Sequence, residues 1–133
     1  MALKDYKKYY VIGAPPEEIY MALTNPKSIE LWTNEPAVMT TNPGDEFSLW
    51  DDSICGRNLE FEENKKIVQE WYFGEQDEPS IVTIKLHPHK KGTSVELRHT
   101  NIPEDDFDDF VEGWDESYFG NVIEFVEDDG SDL

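Results

Sequence analysis

Between Ala37 and Thr100 the apolar residues recur at every second position, and from Phe107 to Val126 they recur at every third or fourth. A period of two suits strands that bury one face, and the wider spacing suits an amphipathic helix. The chain must therefore build a sheet with one apolar face and then a helix able to cover it.

Turn residues divide the period-two region into hairpins. The segments "AVMTT" and "EFSLW" flank Asn42-Pro43-Gly44, "GRNLEFEE" and "KKIVQEWYF" flank Glu63-Asn64-Lys65, and "SIVTIKLH" and "TSVELRHT" flank "PHKKG". Such connections predict six strands in antiparallel meander order. Alternation places Leu59 and Phe61 on one strand face, opposite Glu60 and Glu62, and places Val95, Leu97 and His99 together, opposite Glu96 and Arg98.

Upstream, "DYKKYYVI" is rich in Tyr and β-branched residues and predicts a further strand, seven in all. Pro15 and Pro16 fit the opening turn of a helix, where a missing N–H costs nothing, and Glu17 and Glu18 suit its positive end. Ile19, Ala22 and Leu23 form its buried stripe, Pro26 stops it, and "KSIELWT" offers another short helix. Downstream, Asn101 to Pro103 predicts a turn, after which Phe107, Phe110, Val111, Trp114, Tyr118, Val122, Phe125 and Val126 follow helical spacing. Unbroken, this helix would span about 30 Å, enough to cross a curved sheet. Gly113 and Gly120 each weaken it by roughly 0.5 to 1 kcal/mol relative to Ala, so each implies a close backbone approach or a bend.

The chain has 133 residues, the size of one domain, and residues 1–127 are read as that domain, with 128–133 as an acidic tail. Lys and Arg total 11 against 30 Asp and Glu, a formal charge of −19 that argues against nucleic acid and anionic membranes as partners. Residues 104–133 contribute 13 of the acids and no basic residue, which is read as a solvated helix face with a loose tail or, alternatively, an acidic docking surface for a basic partner. The N-terminus "MALKDYKKYY" lacks the apolar run of a signal peptide, and no apolar run reaches the about 18 residues needed to span a bilayer, so a cytoplasmic protein is expected.

Motifs for chemistry are sparse. A single Cys55 with acidic neighbours offers neither an internal disulfide nor an evident thiolate, and no phosphate-cradling loop or nucleophile elbow occurs. His87 and His89 share a face at a hairpin tip without further ligands, so no metal and no cofactor are expected. Pairs such as Asp51-Asp52 and Asp108-Asp109 are sequence neighbours whose side chains diverge, which makes them poor acid–base partners. His99, on an inward strand face, is expected to be a hydrogen-bonded core residue or a polar group that orients a ligand.

The element order, with "ALTNPKSIELWT", "IVQEWYF", "GTSVELRHTNIP" and the Gly113-Trp114 pair, resembles the START-like superfamily. Within it the chain is most similar to the family of the activator of heat shock protein 90 ATPase, from about Tyr9 to Val126. The resemblance implies an α+β helix-grip fold, a curved antiparallel sheet around a long C-terminal helix with an apolar cavity between them. The family's eukaryotic co-chaperones resemble this chain in their C-terminal domain alone. The superfamily also includes lipid binders, cyclases and hormone receptors.

In such a fold Trp32, Trp50, Trp71, Phe73, Trp114 and Tyr118 converge on the groove between sheet and helix. Gln69 and His99 would supply polar groups, and Phe61, Leu97 and Val122 complete the candidate ligand-binding residues. The leading expectation is a non-enzymatic domain that binds an apolar small molecule. The alternative is an interaction or co-chaperone-like module that meets a basic partner or a chaperone through its acidic helix face. A cyclase or hydrolase has least support and would need His99→Ala to abolish turnover while the fold persists.

Overall fold

A computed structural model of the chain describes residues 3–51, 54–72 and 79–127. Its strands are β1 (Leu3–Ile12), β2 (Glu46–Leu49), β3 (Ile54–Glu62), β4 (Lys66–Tyr72), β5 (Ser80–His89) and β6 (Gly92–Pro103). They form one antiparallel sheet in the order β1-β6-β5-β4-β3-β2, so the first strand closes against the last and β2 forms the far edge. The sheet has six strands rather than the expected seven. "AVMTT" forms only an isolated bridge between Val38 and Ser48, because the chain must turn at Asn42–Gly44 while Asn58 reaches across to hold its backbone.

Two short helices, α1 (Pro16–Thr24) and α2 (Pro26–Thr33), follow β1. Pro16 occupies the first helical position of α1 and Pro26 that of α2, where neither loses a bond. Asn25 ends α1 and caps α2, its Oδ1 accepting from Lys27 N at 2.9 Å and Ser28 N at 3.2 Å. The C-terminal helix runs as α3 (Phe107–Gly113), a π-turn over Trp114–Tyr118, and α4 (Phe119–Glu127), with helical dihedrals through both junctions. The expected turn at Asn101–Pro103 is instead the end of β6, where Asn101 takes a positive φ of 59° beside an irregularity in the β1 pairing.

Alternation holds on the inner face: Thr93, Val95, Leu97 and His99 of β6 and Val82, Ile84 and Leu86 of β5 are all buried. They meet α1, α2 and α4 in a core that includes Ile19, Leu23, Ile29, Phe119 and Val122. The exception is Leu59, 38% exposed, since the pairing of β3 with β4 shifts between Asn58 and Glu60 and turns Leu59 outward while Asn58 faces the core. Gly56 answers a close approach: a Cβ there would lie 2.0 Å from Glu70 O and 2.7 Å from the Phe47 ring. Among the described residues, no helix is long and apolar enough to cross a membrane.

Candidate functional site

The sheet and the C-terminal helix do not close on each other everywhere. Beyond the end of β2 they leave a cavity of about 560 Å³, within the range of small-molecule sites. Trp71 of β4 and Ile54 of β3 form the sheet side, and Phe110, Gly113, Trp114, Ser117 and Tyr118 form the helix side. Trp50 adds a further wall, and the solvent-exposed Glu35, Asp51 and Asp109 edge the cavity.

Local backbone choices create these walls. Residues spaced by four drift about 40° around an α-helix at each step. The π-turn, in which Phe119 N–H reaches Trp114 O, inserts a residue that counters the drift, so Phe110, Trp114 and Tyr118 all line the same cavity. Gly120 permits the turn, because a Cβ there would lie 2.6 Å from Asp115 O. At Gly113 a Cβ would meet nothing within 4 Å: this glycine opens onto the cavity. After β2, Trp50 and Asp51 hold consecutive positive φ angles of 51° and 50°, uncommon for residues with a Cβ. Asp51 N–H anchors the step by donating to Pro36 O at 3.0 Å. The Trp50 ring then meets Trp32 edge-on at 5.6 Å and Tyr118 at 6.2 Å.

The tryptophan walls are fixed from behind. Trp114 stacks on Trp71 at 5.0 Å, and its Nε1–H donates to Nδ1 of His99 at 3.1 Å. Trp71 Nε1–H donates to Gln69 Oε1 at 3.0 Å, and Gln69 Nε2 donates in turn to Asn58 Oδ1 at 3.0 Å. Asn58 Nδ2 then donates to Thr40 O at 3.2 Å, which completes a buried polar chain beneath the sheet wall. Trp32 Nε1–H donates to Ala22 O at 2.8 Å. Three of the four indoles thus direct their polar atoms inward, and Trp71 and Trp114 leave aromatic carbon to line the space.

His99 is fully buried, and desolvation drives its pKa down to about 3, against a weaker upward pull from Asp5. It is neutral at physiological pH, with Nδ1 accepting from Trp114 and the ring proton therefore on Nε2. An imidazole so placed positions Trp114 and is poorly suited to general-base work. Burial likewise raises the pKa of the Tyr118 hydroxyl, which stays protonated.

Of the residues expected to line a site, Trp50, Trp71, Trp114 and Tyr118 do line the cavity. Trp32 stands behind Trp50 and Tyr118, while His99 and Gln69 stand behind the Trp114 and Trp71 rings. Leu97 and Val122 are fully buried in the core, Phe61 packs half-buried against it away from the cavity, and Phe73 lies outside the described residues. Sequence reasoning missed Glu35, Asp51, Ile54, Asp109, Phe110, Gly113 and Ser117 as lining. Phe110, Gly113 and Ser117 were accessible from their helical spacing around Trp114. No sequence signal marks the left-handed step at Trp50-Asp51. At the β5–β6 hairpin, His87 Nε2 lies 3.2 Å from Glu96 Oε1 and His89 Nδ1 accepts from Lys91 N. No cluster of three metal-ligating side chains occurs among the described residues.

An antiparallel sheet gripping a C-terminal helix, with a cavity left between them, defines a helix-grip protein of the START-like class. The chain belongs to the family described as activator of Hsp90 ATPase homolog 1-like protein, whose model matches residues 13–126. Among its relatives, the human activator of 90 kDa heat shock protein ATPase homolog 1 is 28% identical over 109 residues, covering 80% of this chain and 32% of that protein. An uncharacterized protein of Schizosaccharomyces pombe is 36% identical over 67 residues, 50% of this chain and 20% of its own length. The chain spans between 20% and 34% of the length of the curated relatives it matches. Among solved structures, an Hsp90 activator from Plasmodium falciparum superposes with a TM-score of 0.83 at 23% identity, covering 91% of this chain and 94% of that one. A protein of Mesorhizobium loti gives 0.80 at 24% identity, covering 98% and 100%. At these identities the two structures establish the fold alone.

Proposed function

We propose that this protein is a non-enzymatic binding domain, acting as one unit over residues 1–127, that holds a hydrophobic small molecule between the sheet and the C-terminal helix. The observation that supports this most directly is the cavity of about 560 Å³ with Trp50, Trp71, Trp114 and Tyr118 around it, two of them held by buried hydrogen bonds rather than left to collapse inward. Gly113→Leu offers a test, because the position lines the cavity and has room for a side chain. Native mass spectrometry of protein purified gently from its own host should show a co-purified apolar molecule that is absent from the Gly113→Leu variant. A molecule retained unchanged in that variant, or none in either protein, would count against the reading.

A second reading has its own support. Relatives over most of this chain carry the name of Hsp90 ATPase activators, and the C-terminal helix with the 3-10 turn that precedes it exposes Glu104, Asp105, Asp108, Glu112 and Glu116 to solvent. Contact with a chaperone or with a basic protein through this face would weaken with salt and when these acids are neutralised. Co-precipitation with Hsp90 at low and high salt, comparing native protein with a Glu→Gln and Asp→Asn helix variant, decides it.

A further inference from the structure

We propose that the cavity selects cationic ligands: small molecules joining an apolar or aromatic body to an amine or quaternary ammonium head. This rests on the reading of the cavity as a small-molecule site and adds the charge of its occupant. The apolar interior is edged by three carboxylates from separate parts of the chain, Glu35 after α2, Asp51 after β2 and Asp109 on α3. No Lys, Arg or His lines it among the described residues, and no ion pair there engages any of the three acids. The contrast with Asp115 on the same helix is direct, since Asp115 is met by Lys8 and Tyr10.

Aromatic faces complete the complementarity. A ring face carries negative potential and attracts ammonium groups, most strongly when they are desolvated. Trp50, Trp114 and Tyr118 bring such rings to the same opening as the acids. A fatty acid carboxylate would instead face three like charges with no cation to receive it. A positive head at the rim and a hydrocarbon tail along the exposed aromatic carbon of Trp71 and Trp114 match both parts of the lining.

The test uses three ten-carbon probes below their aggregation concentrations: decyltrimethylammonium, decanol and decanoate. Binding is read from tryptophan fluorescence and from the shift in melting temperature, at physiological salt, where charges more than about 8 Å apart are largely screened. The expected result is a preference for decyltrimethylammonium of about tenfold or more over both other probes. That preference should collapse in Glu35→Gln/Asp51→Asn/Asp109→Asn and in the single Asp109→Asn variant shrink in part. It should persist in Glu18→Gln/Glu46→Gln/Glu124→Gln, which removes the same charge from exposed positions outside the cavity. Gly113→Leu should abolish binding.

Equal binding of all three probes would overturn cation selection while leaving the small-molecule site intact. A preference that survives the rim variant, or falls equally in both triple variants, would assign the effect to overall charge and overturn the proposal. Cation binding undiminished by Gly113→Leu would place the probe outside the cavity with the same consequence. Failure of every probe to bind would remove the small-molecule reading and this inference together.

Discussion

The C-terminal helix has two unlike flanks. Toward β1 it is closed: Tyr10 stacks on Phe119 at 4.7 Å, and Asp115 Oδ1 receives Lys8 Nζ at 2.5 Å and the Tyr10 hydroxyl at 2.7 Å. Toward the end of β2 it is open, and Trp114 and Ser117, which belong to the same π-turn as Asp115, face empty volume edged by acids. Polar groups tie the helix down on one side and stand ready for something else on the other. The same five-residue π-turn serves both flanks, so disturbing it should affect both.

The largest expected effect comes from the wall that joins the cavity to the core. Trp114→Ala removes a buried ring stacked on Trp71 and leaves the His99 Nδ1 acceptor without its indole donor, so it should cost about 3 to 5 kcal/mol in urea unfolding. Tyr10→Phe on the closed flank deletes only a hydroxyl bonded to a half-exposed carboxylate and should cost about 0.5 to 1.5 kcal/mol. Equal losses would erase the distinction between a structural wall and a fastening.

His99 gives the open flank a pH signature. Its folded pKa is depressed to about 3 from the ordinary imidazole value of 6.5, so the unfolded chain binds the proton first as pH falls. The stability attached to the neutral ring is complete above about pH 6.5 and erodes below it, with a slope approaching about 1.4 kcal/mol per pH unit until the folded ring also titrates. In His99→Asn, whose Oδ1 can accept from Trp114, this component is absent. The wild-type curve should therefore fall away from the variant's between about pH 6 and pH 4. Parallel curves would refute the buried, neutral imidazole.

The two helix glycines divide along the same line. Gly120→Ala places a Cβ 2.6 Å from Asp115 O and should lose about 1 to 3 kcal/mol as the π-turn shifts, with both flanks disturbed. Gly113→Ala meets nothing and has helical angles of −62° and −39°, so it should gain about 0.5 to 1 kcal/mol while slightly reducing the cavity. Thermal unfolding of the pair separates them, and a shared sign would show that the cavity-facing site is under a constraint this geometry does not contain.

Much of this architecture was legible from periodicity. The inner faces of β4, β5 and β6 alternate with period two, and Pro15 and Pro16 mark the start of the first early helix and Pro26 its end, while the Asn25 cap between the two helices was not foreseen. What escaped depended on tertiary contacts. "AVMTT" has strand composition but pairs at a single position, and Leu59 is turned outward by a pairing shift that alternation cannot foresee. The cavity was legible in its aromatic half, since Trp50, Trp71, Trp114 and Tyr118 could be chosen for size and spacing. Its acidic half was not: Glu35, Asp51 and Asp109 look like ordinary surface residues until α2, β2 and α3 carry them to one opening. Gly113 and Gly120 show the limit clearly, because identical residues seven positions apart on one helix have unrelated reasons to lack a side chain.

The smallest expected effect tests the fastening itself. Lys8 and Asp115 are each more than a third exposed, at 39% and 37% of their side-chain surface, so their coupling in a Lys8→Met/Asp115→Asn double-mutant cycle should be only about 0.2 to 1 kcal/mol and should shrink with salt. The bond to Lys8, followed by that from Tyr10, holds the Asp115 pKa below the usual carboxylate value, while the same contact raises that of Lys8. Stability from the depressed acid is present above its unfolded pKa and lost as pH falls through the folded one; that from the raised amine is lost only as pH rises through its folded value. The coupling should therefore be flat through neutral pH and vanish on acidification. If Lys8→Met also changed ligand binding in the cavity without changing stability, the π-turn would connect the two flanks as well as separate them.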